Sequence, residues 1–377
     1  MRGMRLSSSW SPSSLGRVPS GILACVFSAL VLISVSCGPG APSDQEVLVS
    51  LIDRAVIPAY KGAAIDIAEM RRDATALCDA PGRESLEAAR QSWRTARASW
   101  MQSEAMWFGP VMERRSVSLL DWPSTDTGGI DEMLAANTLV ETGQLRDAFS
   151  AKRRGFGAIE YLLFREDALA VLNASTAYCS YLTALTEVAE GEAEAILSEW
   201  TDGSDQQAPY RDYFTGQSSL ALLPGTAVEE VVRTQVFLIR DIVQMRLASA
   251  LGLREGGADL SAIPGTSADN GLEDLRNEIV GMRAVYKGAG PEALGISDLV
   301  RPLSADTDRR MSDQLDAVLA ATNSVDGPLR NAIADHPEQV KALYDRLHEL
   351  QQTLATEVIS LLGVSVGFSD TDGDTMR

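Results

Sequence analysis

Histidine is almost missing from this chain: only His336 and His348 occur in 377 residues. His336 precedes Pro337 at a helix start, as a solvated cap would, and His348 stands beside Glu349 on the last helix. Neither has a second His or Cys at a metal-ligand spacing. The zinc-peptidase helix H-E-x-x-H is absent, as is the Gly-x-Ser-x-Gly elbow of serine hydrolases. Positive charge is short as well, with 33 Lys and Arg against 52 Asp and Glu, a formal charge of -19. That balance argues against nucleic acid and anionic membrane surfaces as partners, and leaves cations or basic proteins as compatible ones. Aromatic residues make up 6% of the chain. No segment alternates apolar and polar residues between hairpin turns, which argues against a sheet.

Cysteine is scarce too, and its four positions divide into two pairs. Cys25 and Cys37 lie near the N-terminus, where Arg2, Arg5 and Arg17 precede an apolar run from Ile22 to Val35. The run is too short to span a bilayer comfortably and reads as an export signal over residues 1–36. It ends in Ser34-Val35-Ser36-Cys37-Gly38, which resembles a lipoprotein cleavage box with Cys37 as the acylated residue. The alternative is an ordinary signal peptide cleaved nearby. The lipoprotein reading places the chain in the periplasm or at the outer membrane, held to the membrane by the lipid. Cys78 and Cys179 remain after cleavage and permit one disulfide in an oxidising compartment, the alternative being two separate buried thiols.

What the sequence has in plenty is helical periodicity. Ser43 or Asp44 can cap a helix running to about Cys78, with Pro58 kinking it midway. Leu86, Trp93 and Trp100 then repeat every seven residues with Ala89 and Ala96 between them, and Glu104 shares that buried side. Phe108-Gly109-Pro110 ends this helix. A long polar loop follows, carrying Asp121-Trp122-Pro123 and Gly128-Gly129-Ile130-Asp131, and loops of that length are usually functional. The next predicted helix, Arg146–Phe164, has Phe149, Phe156, Ile159 and Leu163 on its apolar face. Glu160 points inward with them, a costly place for a carboxylate without a partner, a metal or water. Further helices are predicted over 167–200, 227–251, 272–285, 306–324 and 337–362. The fold class is therefore all-α. One helical half covers 44–202 and another 226–368, with an irregular connection over 203–225 and a polar tail over 369–377. Asp370-Thr371-Asp372-Gly373-Asp374 mimics the start of a calcium loop, but its glycine comes fourth rather than sixth, so it reads as solvated tail.

The stretch Arg154-Gly155-Phe156-Gly157-Ala158-Ile159-Glu160-Tyr161 resembles the signature of the imelysin family, G-x-H-x-x-E. There His and Glu lie one helical turn apart and can face one metal. The frame here is Gly155, Gly157 and Glu160, with Gly157 standing where the family has His. Trp93 to Pro110 is similar to the family's first long helix and its Gly-Pro stop. Trp122-Pro123 and Ile130-Asp131 are similar to the loop after it, Ser267 to Gly288 to the opening of the second half, and Leu362 to Asp374 to its ending. The resemblance implies two helical bundles packed side by side with the motif at their interface. It also implies an envelope protein linked to iron or haem uptake, with metallopeptidases in one branch.

Carried over by position, the family's site would comprise Glu104, Asp131, Gly157 and Glu160. Three oxygen-bearing positions remain without a nitrogen ligand. The resemblance thus implies a divalent cation (iron, zinc or calcium) that is weakly held if held at all, with harder cations favoured. On this reading Gly157→His should strengthen binding of zinc or ferrous iron. Three functional readings stay open. The first is a binding or accessory lipoprotein of iron or haem acquisition, without peptidase activity and partnered with uptake proteins. The second is a metal-dependent peptidase in which another residue replaces the missing ligand. The third is a structural adaptor with a decayed metal site.

Overall fold

Ser43 opens the first helix with a reciprocal cap: its hydroxyl accepts the backbone N–H of Glu46, whose carboxylate accepts the Ser43 N–H at 2.8 Å. Helix Asp44–Leu51 runs through a wide π turn, Ile52–Val56, into helix Ile57–Asp79. Pro58 therefore does not break the run, because the π turn just before it takes up the missing N–H. The computed structural model describes residues 40–203, 208–218, 220–265 and 267–365. The signal over 1–36, Cys37 and the tail over 369–377 lie outside the described residues.

The tryptophan helix, Arg83–Ser103, buries Leu86, Ala89, Trp93, Ala96 and Trp100 as their spacing predicts. It tightens over Glu104–Met106 and ends at Gly109, whose φ is +63°. A Cβ at Gly109 would stand 2.6 Å from the Tyr210 ring, so this sharp stop requires glycine.

Two predicted helices are divided. The helix expected over Arg146–Phe164 is a short one, Thr142–Ala148, followed by extended Phe149, a tight turn at Ala151–Arg153, and the motif helix Gly155–Phe164. The reason is Gly155, at φ +72°, where any Cβ would overlap the Leu120 backbone. Phe149 is thus off the motif helix and lies against Tyr181 with ring centroids 6.1 Å apart. The helix expected over 167–200 splits at extended Ser175 into Ala168–Ala174 and Thr176–Thr201, which meet at 111°.

In the second half, helix Pro224–Arg240 continues through a π turn, Asp241–Leu247, into Ala248–Ala250. Helices Gly271–Lys287, Ala305–Thr322 and Pro337–Gln352 follow. Among the described residues there is no strand, and no single helix is long and apolar enough to cross a membrane. One apolar core runs from Val47 to Val358. The tryptophan helix lies at its centre, packed on Ile57–Asp79 and on Gly271–Lys287, so it joins the two sequence halves. From Ala41 onward the described residues form one compact unit. Cys78 and Cys179 are bonded, with Cα atoms 5.6 Å apart, and they tie the end of helix Ile57–Asp79 to the start of Thr176–Thr201.

Candidate functional site

The tryptophan helix carries Arg97 and Glu104 seven residues apart, on one face. Opposite them, helix Gly271–Lys287 carries Asp274, Glu278 and Gly281 at the same kind of spacing. Gly281 rests on the carbonyl oxygen of Gln102, which brings the two backbones together and sets these charged side chains against one another. Gln102 Nε2 also donates to Asn277 Oδ1 at 2.9 Å.

At the upper end of this seam Arg97 is 5% exposed. Its Nε and Nη2 donate to Asp274 Oδ2 at 3.1 and 3.0 Å, and Nη1 donates to Asp121 Oδ1. Trp100 Nε1 donates to the other Asp121 oxygen at 3.1 Å, and Asn270 Nδ2 to the other Asp274 oxygen at 2.6 Å. The guanidinium lies over the Phe156 ring, 5.6 Å from its centroid. Burial raises the Asp121 carboxyl above its ordinary range, against the pull of Arg97.

Glu160, on the motif helix, is 7% exposed. Its Oε1 accepts the backbone N–H groups of Ser267 and Ala268 at 2.7 and 2.8 Å. Burial raises this carboxyl, while the Ala268 N–H and the nearby Arg97 charge oppose the rise. The motif helix is itself held by Trp93, whose Nε1 donates to Phe156 O at 3.2 Å.

At the lower end Glu104 and Glu278 face each other. Arg246 reaches them from the π turn Asp241–Leu247, where an Asp241–Arg246 spacing of five residues brings Nε to Asp241 Oδ2 at 2.6 Å. Arg246 Nη1 donates to Glu278 Oε1 at 2.6 Å, and Nη2 reaches Glu104 Oε1 at 3.4 Å. Burial and then the Glu278 charge push the Glu104 carboxyl well above its ordinary range, more than Arg246 can offset. Glu278 Oε2 is buried with no hydrogen-bond partner. The Glu104 carboxyl facing it is pushed toward its neutral form, the form that could donate to Glu278.

The positions expected from sequence divide accordingly. Glu104 and Glu160 both lie along the seam, each held by its own partners. Asp131 does not join them: its side chain is 47% exposed, accepts from Tyr161 Oη at 2.8 Å and pairs with Arg165 at 2.8 Å. The helix Thr127–Ala135 that carries Asp131 is set so that Ile130 and Leu134 fill the core and Asp131 is left at the rim. Gly157 faces Thr125, whose hydroxyl occupies the place a Cβ would take. The loop bearing Thr125 is pinned at both ends, by Asp121 on Arg97 and by Asp126 on Arg153 and on the Gly129 N–H. Sequence reasoning misses Arg97, Asp121, Asp274, Glu278 and Arg246 as members of the site. The available signals are Arg97 four residues after Trp93 and the Asp274–Glu278 pair one turn apart among apolar residues.

The Imelysin family model (Peptidase M75) matches residues 56–354. The chain belongs to the imelysin family. Its fold is similar to a solved structure from Parabacteroides distasonis described as an iron-regulated protein A precursor, with a TM-score of 0.72 at 19% identity over 86% of this chain and 97% of that one. An imelysin-like protein from Psychrobacter arcticum has a TM-score of 0.68 at 20% identity, with the same coverage of both chains. No curated protein matches the sequence.

The metal that the imelysin resemblance implies does not suit the residues this chain presents. A cation there would need converging lone pairs. Glu160 Oε1 already holds two N–H groups, Glu104 is pushed toward its neutral form beside Arg246, and Asp131 is paired at the rim. Position 157 supplies no donor. Among the described residues no group of three or more His, Cys, Asp or Glu is placed to hold a metal ion.

Proposed function

We propose that this imelysin-family protein is an exported, lipid-anchored binding or accessory protein of iron or haem acquisition, without peptidase activity of its own. The observation that carries the non-catalytic reading is the state of the motif: Gly157 has no side chain, and the Glu160 carboxylate is engaged by Ser267 and Ala268. Only the second Glu160 oxygen is left, with no histidine beside it to share a metal or a water. The iron link is supported by family membership together with a relative of the same fold described as iron-regulated. The anchor is supported by the apolar run that ends at Cys37. Any divalent cation at the motif is weakly held and exchanges freely.

The purified mature protein, incubated with an unfolded protein substrate and zinc, should leave the substrate intact. Cleavage that stops on adding a chelator would overturn the non-catalytic reading. The iron link is tested by protein abundance, which should rise under iron limitation; unchanged abundance counts against it. Mass analysis of the mature N-terminus should find an acylated Cys37, and a free α-amine at another residue would remove the anchor.

A further inference from the structure

We propose that Arg97 is the built-in cation of the motif site: its guanidinium stands where a bound ion would otherwise be needed, and it locks the two halves of the chain together without a metal. This rests on the non-catalytic reading and explains it.

Two carboxylates from separate regions of the chain meet at the Arg97 guanidinium, and a third, Glu160, is near enough to feel its charge. Asp121 comes from the polar loop, Glu160 from the motif helix and Asp274 from the second half. They are 12%, 7% and 0% exposed. Carboxylates brought together from distant sequence could not stay buried as ions without positive charge between them. The positive charge present is Arg97. Its fork is shaped for two carboxylates at once, and two of them take it directly. Burial works against the guanidinium charge, but Asp121 and Asp274 more than reverse this and hold it firmly protonated. The remaining demands of the site are met from the chain as well. The Ser267 and Ala268 N–H groups bind Glu160, and the Thr125 hydroxyl fills the space beside Gly157. Arg97 therefore positions Asp121, Asp274 and the loops attached to them, and its presence makes a metal unnecessary.

Removing the side chain while keeping the acids should turn the lock into a site for added cations. Arg97→Ala should melt roughly 5–10 °C below wild type, as expected for a broken buried ion pair in a chain of this size. Millimolar guanidinium ion should restore much of the loss, and calcium or manganese should bind the variant one to one by calorimetry. Wild type should show no change of melting temperature with a chelator, calcium or manganese. Arg97→Gln, which keeps an amide donor, supplies the same test if Arg97→Ala does not fold. Arg97→Lys should keep most of the stability and gain no cation binding. The proposal is overturned if wild type is destabilised by the chelator and recovers with added metal. It is equally overturned if folded Arg97→Ala and Arg97→Gln answer to neither guanidinium nor metal. A result of the second kind leaves the non-catalytic reading intact, whereas chelator-sensitive cleavage by wild type removes that reading alone.

Discussion

Gly281 lies directly on the carbonyl oxygen of Gln102, so closely that a Cβ on Gly281 would overlap it and reach Ala105 at 3.2 Å. This backbone contact is what lets Arg97 meet Asp274 and Glu104 meet Glu278. Gly281→Ala gains about 1 kcal/mol of helix propensity. It must also separate a pair of packed backbones, which cannot yield by rotating a side chain, and overpacking of that kind costs about 1–3 kcal/mol or more. The charged partners across the seam would be stretched as well. Net destabilisation is expected, as a lower urea midpoint; a midpoint equal to or above wild type would show that the helices are not held at this distance.

The Cys78–Cys179 bridge closes a loop of 101 residues. A loop that long constrains the unfolded chain by about 4–5 kcal/mol. Cys78→Ser/Cys179→Ser should therefore unfold at clearly lower urea than wild type, and reductant should shift wild type toward the variant without affecting the variant itself. Coincident transitions for all of these would mean that the bridge adds nothing.

Much of this arrangement is legible in the sequence, and the rest is not, for physical reasons. The seven-residue repeat of Leu86, Trp93 and Trp100 marks a buried helix because a single face must meet the core. Gly155 reads as helix interior but is a helix start: its role depends on Leu120, which is 35 residues away, and no local pattern reports that. Phe149 is misplaced for the same reason. Motif position alone carries Asp131 into the pocket, yet Tyr161 and Arg165 hold it at the rim. The inward direction of Glu104 and Glu160 is readable from helical spacing. Their partners are not, since Arg246 depends on a π turn, Glu278 on a helix from the other half of the chain, and the Ser267 and Ala268 N–H groups on a loop 107 and 108 residues after Glu160.

The raised Glu104 carboxyl gives stability a definite pH dependence. Its folded pKa lies well above the ordinary 4.5, because of burial and then of Glu278. Between 4.5 and the folded value the native state holds more protons than the unfolded chain. This group's contribution is thus fully present below about pH 4.5 and is lost as pH rises through the folded pKa. Paired carboxylates nearer the surface, such as Asp126 and Asp167, are lowered and slope the opposite way, so total stability hides the effect. Glu104→Gln isolates it: glutamine imitates the neutral acid and keeps a donor for Glu278. The stability of Glu104→Gln relative to wild type should rise steadily as pH increases above 4.5. A difference that stays constant with pH would mean that Glu104 is ionised throughout.

Position 157 provides the most direct test of what this motif has become. From sequence alone, Gly157→His should repair a depleted zinc site. The structure changes that expectation, because Thr125 fills the space and Glu160, three residues on, is already engaged. Gly157→Ala should be close to neutral: about 1 kcal/mol of helix propensity offsets a Thr125 rotation of similar cost. Gly157→His must push the Thr125 loop aside, and that loop is anchored through Asp121 and Asp126. It should lose about 1–3 kcal/mol in stability and bind zinc no better than wild type by calorimetry. Adding Thr125→Gly should recover stability without creating zinc affinity, since Arg97 still neutralises the acids. Only with Arg97→Ala as well should the imidazole, Glu160 and the freed aspartates take up zinc one to one. Tight zinc binding by Gly157→His alone would show instead that the site needs just one ligand, and that its arginine and threonine are bystanders.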